Sequence, residues 1–168
     1  MDSQRGGRSP GWVVKAAYMA DRPVEWRRGA FLVSTDRRLL DPSGVLALLR
    51  ATHWGSGMQR GTLGTAIANS VCFGVYREKE LCGFGRVVTD LATYGYLTDV
   101  VIAGGYRGQG LGRWLTECIL AHPQLQGFRR LALLTLDAPG LYARLGFEVG
   151  PGSLTYMERR SPEGGSAE

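Results

Sequence analysis

The sequence predicts an α/β (α+β) fold: a mixed, mainly antiparallel central sheet flanked by helices, in a single domain. Three observations carry this. The 168 residues are one domain's worth of chain, and 44% of them are apolar, enough to bury a core. Between residues 70 and 102, three runs of strand-forming residues are separated only by short polar turns, the pattern of an antiparallel meander. The period then changes. Leu111, Trp114, Leu115, Cys118 and Ile119 fall at i, i+3, i+4, i+7 and i+8, one apolar stripe on a helix. An apolar run at 131–136 follows, so residues 96–136 read as a strand–loop–helix–strand crossover.

Element by element, the pattern begins after a Gly- and Arg-rich stretch over 1–29, which is expected to be a poorly ordered basic extension. Residues 31–33 (Phe, Leu, Val) form a short strand. Asp41 is placed to cap a helix whose first residue is Pro42, with Val45, Leu46, Leu48 and Leu49 as its apolar residues. A Gly-rich loop over 55–64 leads to a short helix ending near Asn69. Strands are expected at 70–76 and 81–89, joined by the charged turn 77–80, and a third at 95–102 after a turn around 90–93. The helix carrying the apolar stripe should stop near His122, because Pro123 follows. A buried strand at 131–136 and a short helix at 140–145, ended by Gly146, come next. Strands at 147–149 and 154–157 close the domain, taken as 30–160, and 161–168 is a loose Pro/Gly/Ser-rich tail.

Composition excludes several function classes. No apolar stretch approaches the ~20 residues of a membrane span. Three cysteines (Cys72, Cys82, Cys118) in no CxxC spacing, with only two histidines, support neither a disulfide framework nor a zinc site, so no metal is expected. They read as small buried hydrophobes in a reduced compartment. Met1 to Gly11 is polar and lacks the apolar core of a secretory signal. The Arg-rich start resembles a mitochondrial targeting arm only loosely, since it contains acids and has no clean amphipathic repeat. A cytoplasmic protein is therefore expected. The net charge of +5 is concentrated early. Residues 1–30 carry six basic and three acidic side chains, whereas 31–168 carry 14 and 12. A nearly balanced body is not the electrostatic footprint of a nucleic-acid binder.

The segment that carries chemistry runs from Asp99 to Arg113. A strand ends at Ile102, a loop with Gly104, Gly105, Gly108, Gly110 and Gly112 follows, and a helix begins inside it. Glycines there permit positive φ and close approach to the amides. The first amides of a helix have no intrahelical acceptor, and the helix dipole adds partial positive charge. Arg107 and Arg113 flank the same turn. The arrangement suits an anion, a pyrophosphate above all. It is not a Walker A loop, because Arg113 and Trp114 stand where Lys and Ser/Thr are needed, and the glycine spacing lacks G-x-G-x-x-G.

Arg107, Gly108, Gln109, Gly110, Leu111 and Gly112 have the form R/Q-x-x-G-x-G/A, and in this the chain resembles the GNAT superfamily of N-acetyltransferases. Gly140 to Phe147 is similar to that family's LYxKLGF segment, one helix and one strand downstream. The resemblance spans about 31–157. It implies acetyl-CoA as cosubstrate, with its pyrophosphate on the amides of Arg107, Gly108, Gln109, Gly110, Leu111, Gly112 and Arg113. Backbone groups of Val100, Val101 and Ile102 would meet the pantetheine arm at a splayed strand end. Tyr142 would protonate the departing thiolate, and an amide near Val100 would stabilise the oxyanion. The chain departs from the family pattern at Asp137, which stands for an Asn that contacts the cofactor and lies closer to Tyr142. It departs again at Ala103, Gly104 and Gly105, where a Pro is common.

For the general base the sequence leaves three candidates: Asp99, Asp90, or a water held by Thr98 and Tyr96. Strict alternation would put Tyr96, Thr98 and Val100 on one face and Leu97, Asp99 and Val101 on the other. The alternative for Asp99 is a structural carboxylate paired with an Arg. Trp54, Tyr94 and Tyr96 are candidate aromatic walls for a cationic acceptor, with Asp90 at the mouth and His53 beside Trp54. The expected activity is acetyl transfer to a primary amine of a small molecule or peptide. The competing readings are a non-catalytic acyl-CoA sensor and a nucleic-acid-associated protein acting through its basic arm. No membrane partner is expected, nor nucleic acid for the folded body, and the oligomeric state is open, a homodimer included.

Overall fold

The computed structural model describes residues 22–152 and 155–159. In chain order its elements are strands β1 (Glu25–Arg28) and β2 (Phe31–Ser34), helices α1 (Pro42–Arg50) and α2 (Arg60–Ala68), strands β3 (Val71–Arg77), β4 (Glu80–Thr89) and β5 (Tyr94–Ile102), helix α3 (Leu111–Leu120), strand β6 (Arg130–Leu133) and helix α4 (Pro139–Ala143). The six strands make one sheet in chain order. β1 to β5 pair antiparallel, and β5 pairs parallel with β6 through the α3 crossover. This is the expected single domain with a mainly antiparallel sheet.

Local chemistry sets the boundaries. Asp41 caps α1 by accepting the amides of Ser43 and Gly44 (3.0 and 3.1 Å), and Pro42 opens the helix. β3 and β4 join through Glu78 and Lys79, with Glu78 at φ 56°, a backbone twist that suits a two-residue hairpin. The β4–β5 turn is held by Asp90. Its carboxylate accepts the amides of Ala92, Thr93 and Tyr94 (3.0, 2.8 and 3.1 Å) and the Thr93 hydroxyl (2.6 Å).

The sheet is covered on both faces. On one, the α3 stripe of Leu111, Trp114, Leu115, Cys118 and Ile119 packs on Val33, Phe73, Val75, Val87 and Leu97. On the other, Val45, Leu46 and Leu49 of α1 and Leu63 of α2 pack on Cys72, Phe84 and Val101. The three cysteines are free and buried. Among the described residues no helix is long and apolar enough to cross a membrane.

Two expectations are corrected. β1 falls inside the stretch taken as a loose extension, so the body begins before residue 30. Its sequence offers a single apolar residue, Trp26, and its place is secured by the full β1–β2 register and by Trp26 against Phe73 (6.2 Å). Residues 1–21, with most of that extension, lie outside the described residues, as do 160–168. The second correction is at the C-terminal side. Residues 147–149 and 155–157 are irregular rather than strands, with Leu154 outside the described residues. Phe147 spends its amide on the Tyr142 carbonyl (3.1 Å), which ends α4, and Val149 is 96% exposed. The strand expected over 131–136 stops at Leu133.

His122 ends the α3 segment at 3% exposure, edge-on to Phe73 at 5.4 Å and beside Trp26 at 6.2 Å. Its Nδ1 accepts the Gln124 amide (3.3 Å). Burial lowers its pKa, because the imidazolium loses hydration there. Below about pH 6.5 the unfolded chain therefore takes up a proton that the folded chain resists, and stability falls as pH falls. Urea unfolding is expected to show a lower midpoint at pH 5 than at pH 7, and His122→Gln should shrink that difference.

Candidate active site

β5 and β6 run side by side from the Tyr94–Arg130 pair to the Leu97–Leu133 pair and then separate. β5 continues to Ile102, while the chain after Leu133 leaves the sheet with Leu134 and Leu136 exposed. Beyond the Leu97–Leu133 pair the backbone of Thr98 to Ile102 has no ladder partner on the β6 side among the described residues.

The separation coincides with a bulge. Arg86 pairs with Thr98, and the next pair is Phe84 with Val101, so β5 carries one extra residue there. Asp99 takes φ 57°, unusual for a residue with a side chain. The bulge corrects the alternation expected from sequence. Leu97 and Val100 both pack toward α3, and Val101 joins the α1/α2 core, so Val100 does not share a face with Tyr96 and Thr98. Asp99 accepts from Arg86 Nε at 2.5 Å and from the Thr98 hydroxyl at 3.2 Å, and Arg86 Nη1 donates to Ser70 Oγ at 3.1 Å. Both charged side chains are largely buried, 14% and 8% exposed. Asp99 is thus the Arg-paired carboxylate of the two readings made from sequence.

At the end of β5 the chain makes a tight turn over Gly104–Tyr106 and enters α3 through Gly108 and Gly110, at φ 77° and 73°. Gly110 is the N-cap residue and offers no side chain to cap the helix. Trp114 is the first to donate back, to the Gly110 carbonyl at 3.0 Å. The amides of Gly110 to Arg113 therefore have no intrahelical acceptor, and the positive end of the helix dipole lies behind them.

The arginines are distributed differently from the expectation. Arg107 Nε donates to the Ile102 carbonyl (3.0 Å), tying the loop to the strand end. Arg113 pairs with Glu117 on the helix exterior at 2.8 Å. A third, Arg28 of β1, was not anticipated. It donates to the Gln109 carbonyl (3.2 Å), and its guanidinium lies 4.8 Å from the centre of the Trp114 ring. The two partners are 81 residues apart in the chain, and nothing near either one signals the contact.

Tyr142 lies on α4, beyond β6, at the margin of the same core as Val100, Ile102 and Leu133. Its ring meets Phe147 edge-on at 5.7 Å. Burial raises its phenol pKa, and the Asp137 charge adds to the effect. Asp137 itself is exposed.

The acceptor-side residues are only partly assembled. Asp90 has both oxygens committed to its turn, which holds its carboxyl well below the usual carboxylate range, with the Thr93 bonds the largest cause. It is a turn residue. Tyr96 is half-buried, and its phenol is pushed up by burial, with Tyr94 and Asp99 contributing. Tyr94 is 43% and Trp54 42% exposed, and no ring contact joins Trp54 to either tyrosine among the described residues. His53 is exposed beside Trp54.

Comparison with known proteins bears on the family and the fold. Residues 68–149 match the family model described as an acetyltransferase (GNAT) domain. The Gibberella zeae protein named "Putative acetyltransferase FG08082" is 34% identical over 146 residues, covering 73% of this chain and 81% of that protein. Mouse N-alpha-acetyltransferase 80 is 47% identical over 63 residues, 36% of this chain but only 20% of that protein. Among solved structures, a GNAT-family protein of Xanthomonas campestris pv. campestris superposes with a TM-score of 0.74 at 40% identity, covering 79% of this chain and 94% of that one. Glucosamine-6-phosphate N-acetyltransferase of Arabidopsis thaliana shares the fold at 17% identity, with a TM-score of 0.56 and coverage of 77% and 97%.

Gly110→Val places a β-branched residue at φ 73°, beside amides that have no intrahelical acceptor. We expect a loss of about 1–2 kcal/mol in unfolding free energy from the backbone alone. In calorimetric titration with coenzyme A as the diphosphate probe, we expect at least a tenfold weaker Kd.

Proposed function

Because this chain belongs to the GNAT acetyltransferase family, we propose that it is an acetyl-CoA-dependent N-acetyltransferase that moves an acetyl group to a primary amine by direct attack on the thioester. The observation that carries the reading is the set of amides at the start of α3, Gly110 to Arg113, which have no intrahelical acceptor and lie just past a strand end that has left its ladder with β6. A diphosphate supplies the acceptors those amides lack, and glycines at 108 and 110 let it approach. The groups present therefore fit coenzyme A. Backbone groups of Val100, Val101 and Ile102 would run along the pantetheine arm, with Asp137 near its inner end.

In this reading the amine nitrogen bonds to the thioester carbonyl carbon, and negative charge collects on the oxygen. An amide of the bulged strand at Val100 donates to that oxygen. The carbon–sulfur bond then breaks, Tyr142 gives the sulfur its proton, and the acetylated nitrogen loses its extra proton to solvent, from which the Tyr142 phenolate is reprotonated. The raised pKa of Tyr142 suits a group that must hold a proton until that moment. Neither Asp99, bound to Arg86, nor Asp90, bound within its turn, is free to receive the proton of the incoming ammonium. That proton passes to solvent reached past Thr98 and Tyr96. Tyr94 and Tyr96 give the acceptor side an aromatic surface. Names of relatives such as N-alpha-acetyltransferase 80 and the soybean "Histone acetyltransferase TAP1" make peptide amines worth including among acceptors.

The test is thiol release from acetyl-CoA across small amines and peptides with free α- or ε-amino groups. Turnover with an amine supports the reading. Tight coenzyme A binding with no turnover by any amine would replace it with a binding module. Tyr142→Phe should lower kcat by on the order of 10²–10³-fold while leaving coenzyme A affinity within about threefold. With solvent as proton acceptor, kcat/KM should rise with pH along the acceptor amine's own titration, and no acidic limb should be traceable to a carboxylate. pH–rate profiles for two amines of different pKa check this.

A further inference from the structure

Asp99 stands in a conformation that side chains disfavour, at the bulge just past the end of the β5–β6 ladder. Something must hold it there. The structure offers one specific restraint: Arg86, on the neighbouring strand and one pair before the extra residue, bonds to the Asp99 carboxylate. Arg86 is itself anchored by Ser70 at the start of β3. The Thr98 hydroxyl binds the second carboxylate oxygen. The pair sits in the α1/α2-side layer, largely out of water, where removing one partner leaves the other uncompensated. On the opposite face, the side chain of Val100 is drawn to the α3 side, 3.6 Å from where a Cβ on Gly85 would lie. Asp99 and Val100 together face Gly85 alone.

We propose that Arg86 is a positioning residue: through Asp99 it locks the left-handed bulge that turns the Val100 amide toward the gap beyond the β5–β6 ladder. This rests on the acetyl-transfer reading, in which that amide meets the oxyanion. Asp99 then serves geometry rather than proton transfer. A side chain is needed at 99 only as the handle by which Arg86 grips the bulge. Glycine adopts φ 57° freely and can dispense with the handle.

The two roles separate in a series of Arg86→Gln, Asp99→Ala, Asp99→Gly and the double variant Arg86→Gln/Asp99→Gly. The readouts are kcat, KM for acetyl-CoA, and amide hydrogen exchange over residues 98–101. Arg86→Gln and Asp99→Ala should each lower kcat by on the order of 10²-fold, the size of effect expected from a small misplacement of a reacting group. KM for acetyl-CoA should stay within about threefold, and exchange over 98–101 should accelerate. The double variant, with neither charge left unpaired, should return to within about fivefold of the parent kcat and to parental exchange. The proposal is overturned if both glycine variants are as inactive as Asp99→Ala while exchanging normally, for then the carboxylate itself takes part in chemistry. It is equally overturned if Arg86→Gln changes neither kcat nor exchange. Should the parent protein turn over no amine, the functional reading falls, and exchange alone still decides the role of Arg86. Acceleration in Arg86→Gln and Asp99→Ala, reversed in the double variant, supports it, and unchanged exchange in those two refutes it.

Discussion

A single extra residue in β5 has consequences on three scales. Locally it forces Asp99 into the left-handed region and sets two successive residues opposite Gly85. At the level of packing it exchanges the faces of the strand. Leu97 belongs to the α3 core, as does Val100 three residues later, and Val101 closes the core beneath α1 and α2. At the level of the sheet it marks where β5 and β6 part, since their parallel register ends at Leu97 and Leu133. β6 itself stops at Leu133, so the bulge and the end of the ladder fall at the same level of the sheet.

The other half of the site is electrostatic and needs no charged side chain at its centre. Helix α3 begins on glycine, without a capping side chain, and so keeps its first amides available. The arginines around it act as structural ties. Arg107 joins loop to strand, and Arg28 joins loop to edge strand and stacks on Trp114. The loop is held in shape by groups that bind its carbonyls, which leaves its N–H groups facing outward. In the proposed reading these ties would hold the loop ready for a ligand, and preorganisation is what lets backbone dipoles bind anions well.

Much of this could be read from the chain. The apolar stripe from Leu111 to Ile119, the Asp41–Pro42 helix start and the glycines ahead of α3 are local patterns with local causes, and each lies where expected. What escaped were features decided by distant partners. β1 has one apolar residue in four and exists because β2 and Phe73 receive it. The bulge leaves no mark in a run as regular as residues 94–102, because it arises from the match between two strands. Asp90 looks like an accessible acid until its four hydrogen bonds are seen. Residues 147–149 have strand-like composition, yet the Phe147 amide is already committed to ending α4.

The course of β1 along α3 carries a last implication. Trp26 reaches His122 near one end of that helix, while Arg28 reaches Gln109 and Trp114 near the other. Among the described residues β1 is also the outermost strand, four residues long and paired with β2. Fraying starts at such margins, at a free energy well below that of global melting. The Arg28 tether to the loop ahead of α3 is thus fastened to the piece of the sheet easiest to peel away. Mild heat, a nicking protease or a competing strand would release that tether, and the Trp26 contact with Phe73 along with it, before the rest of the sheet opened.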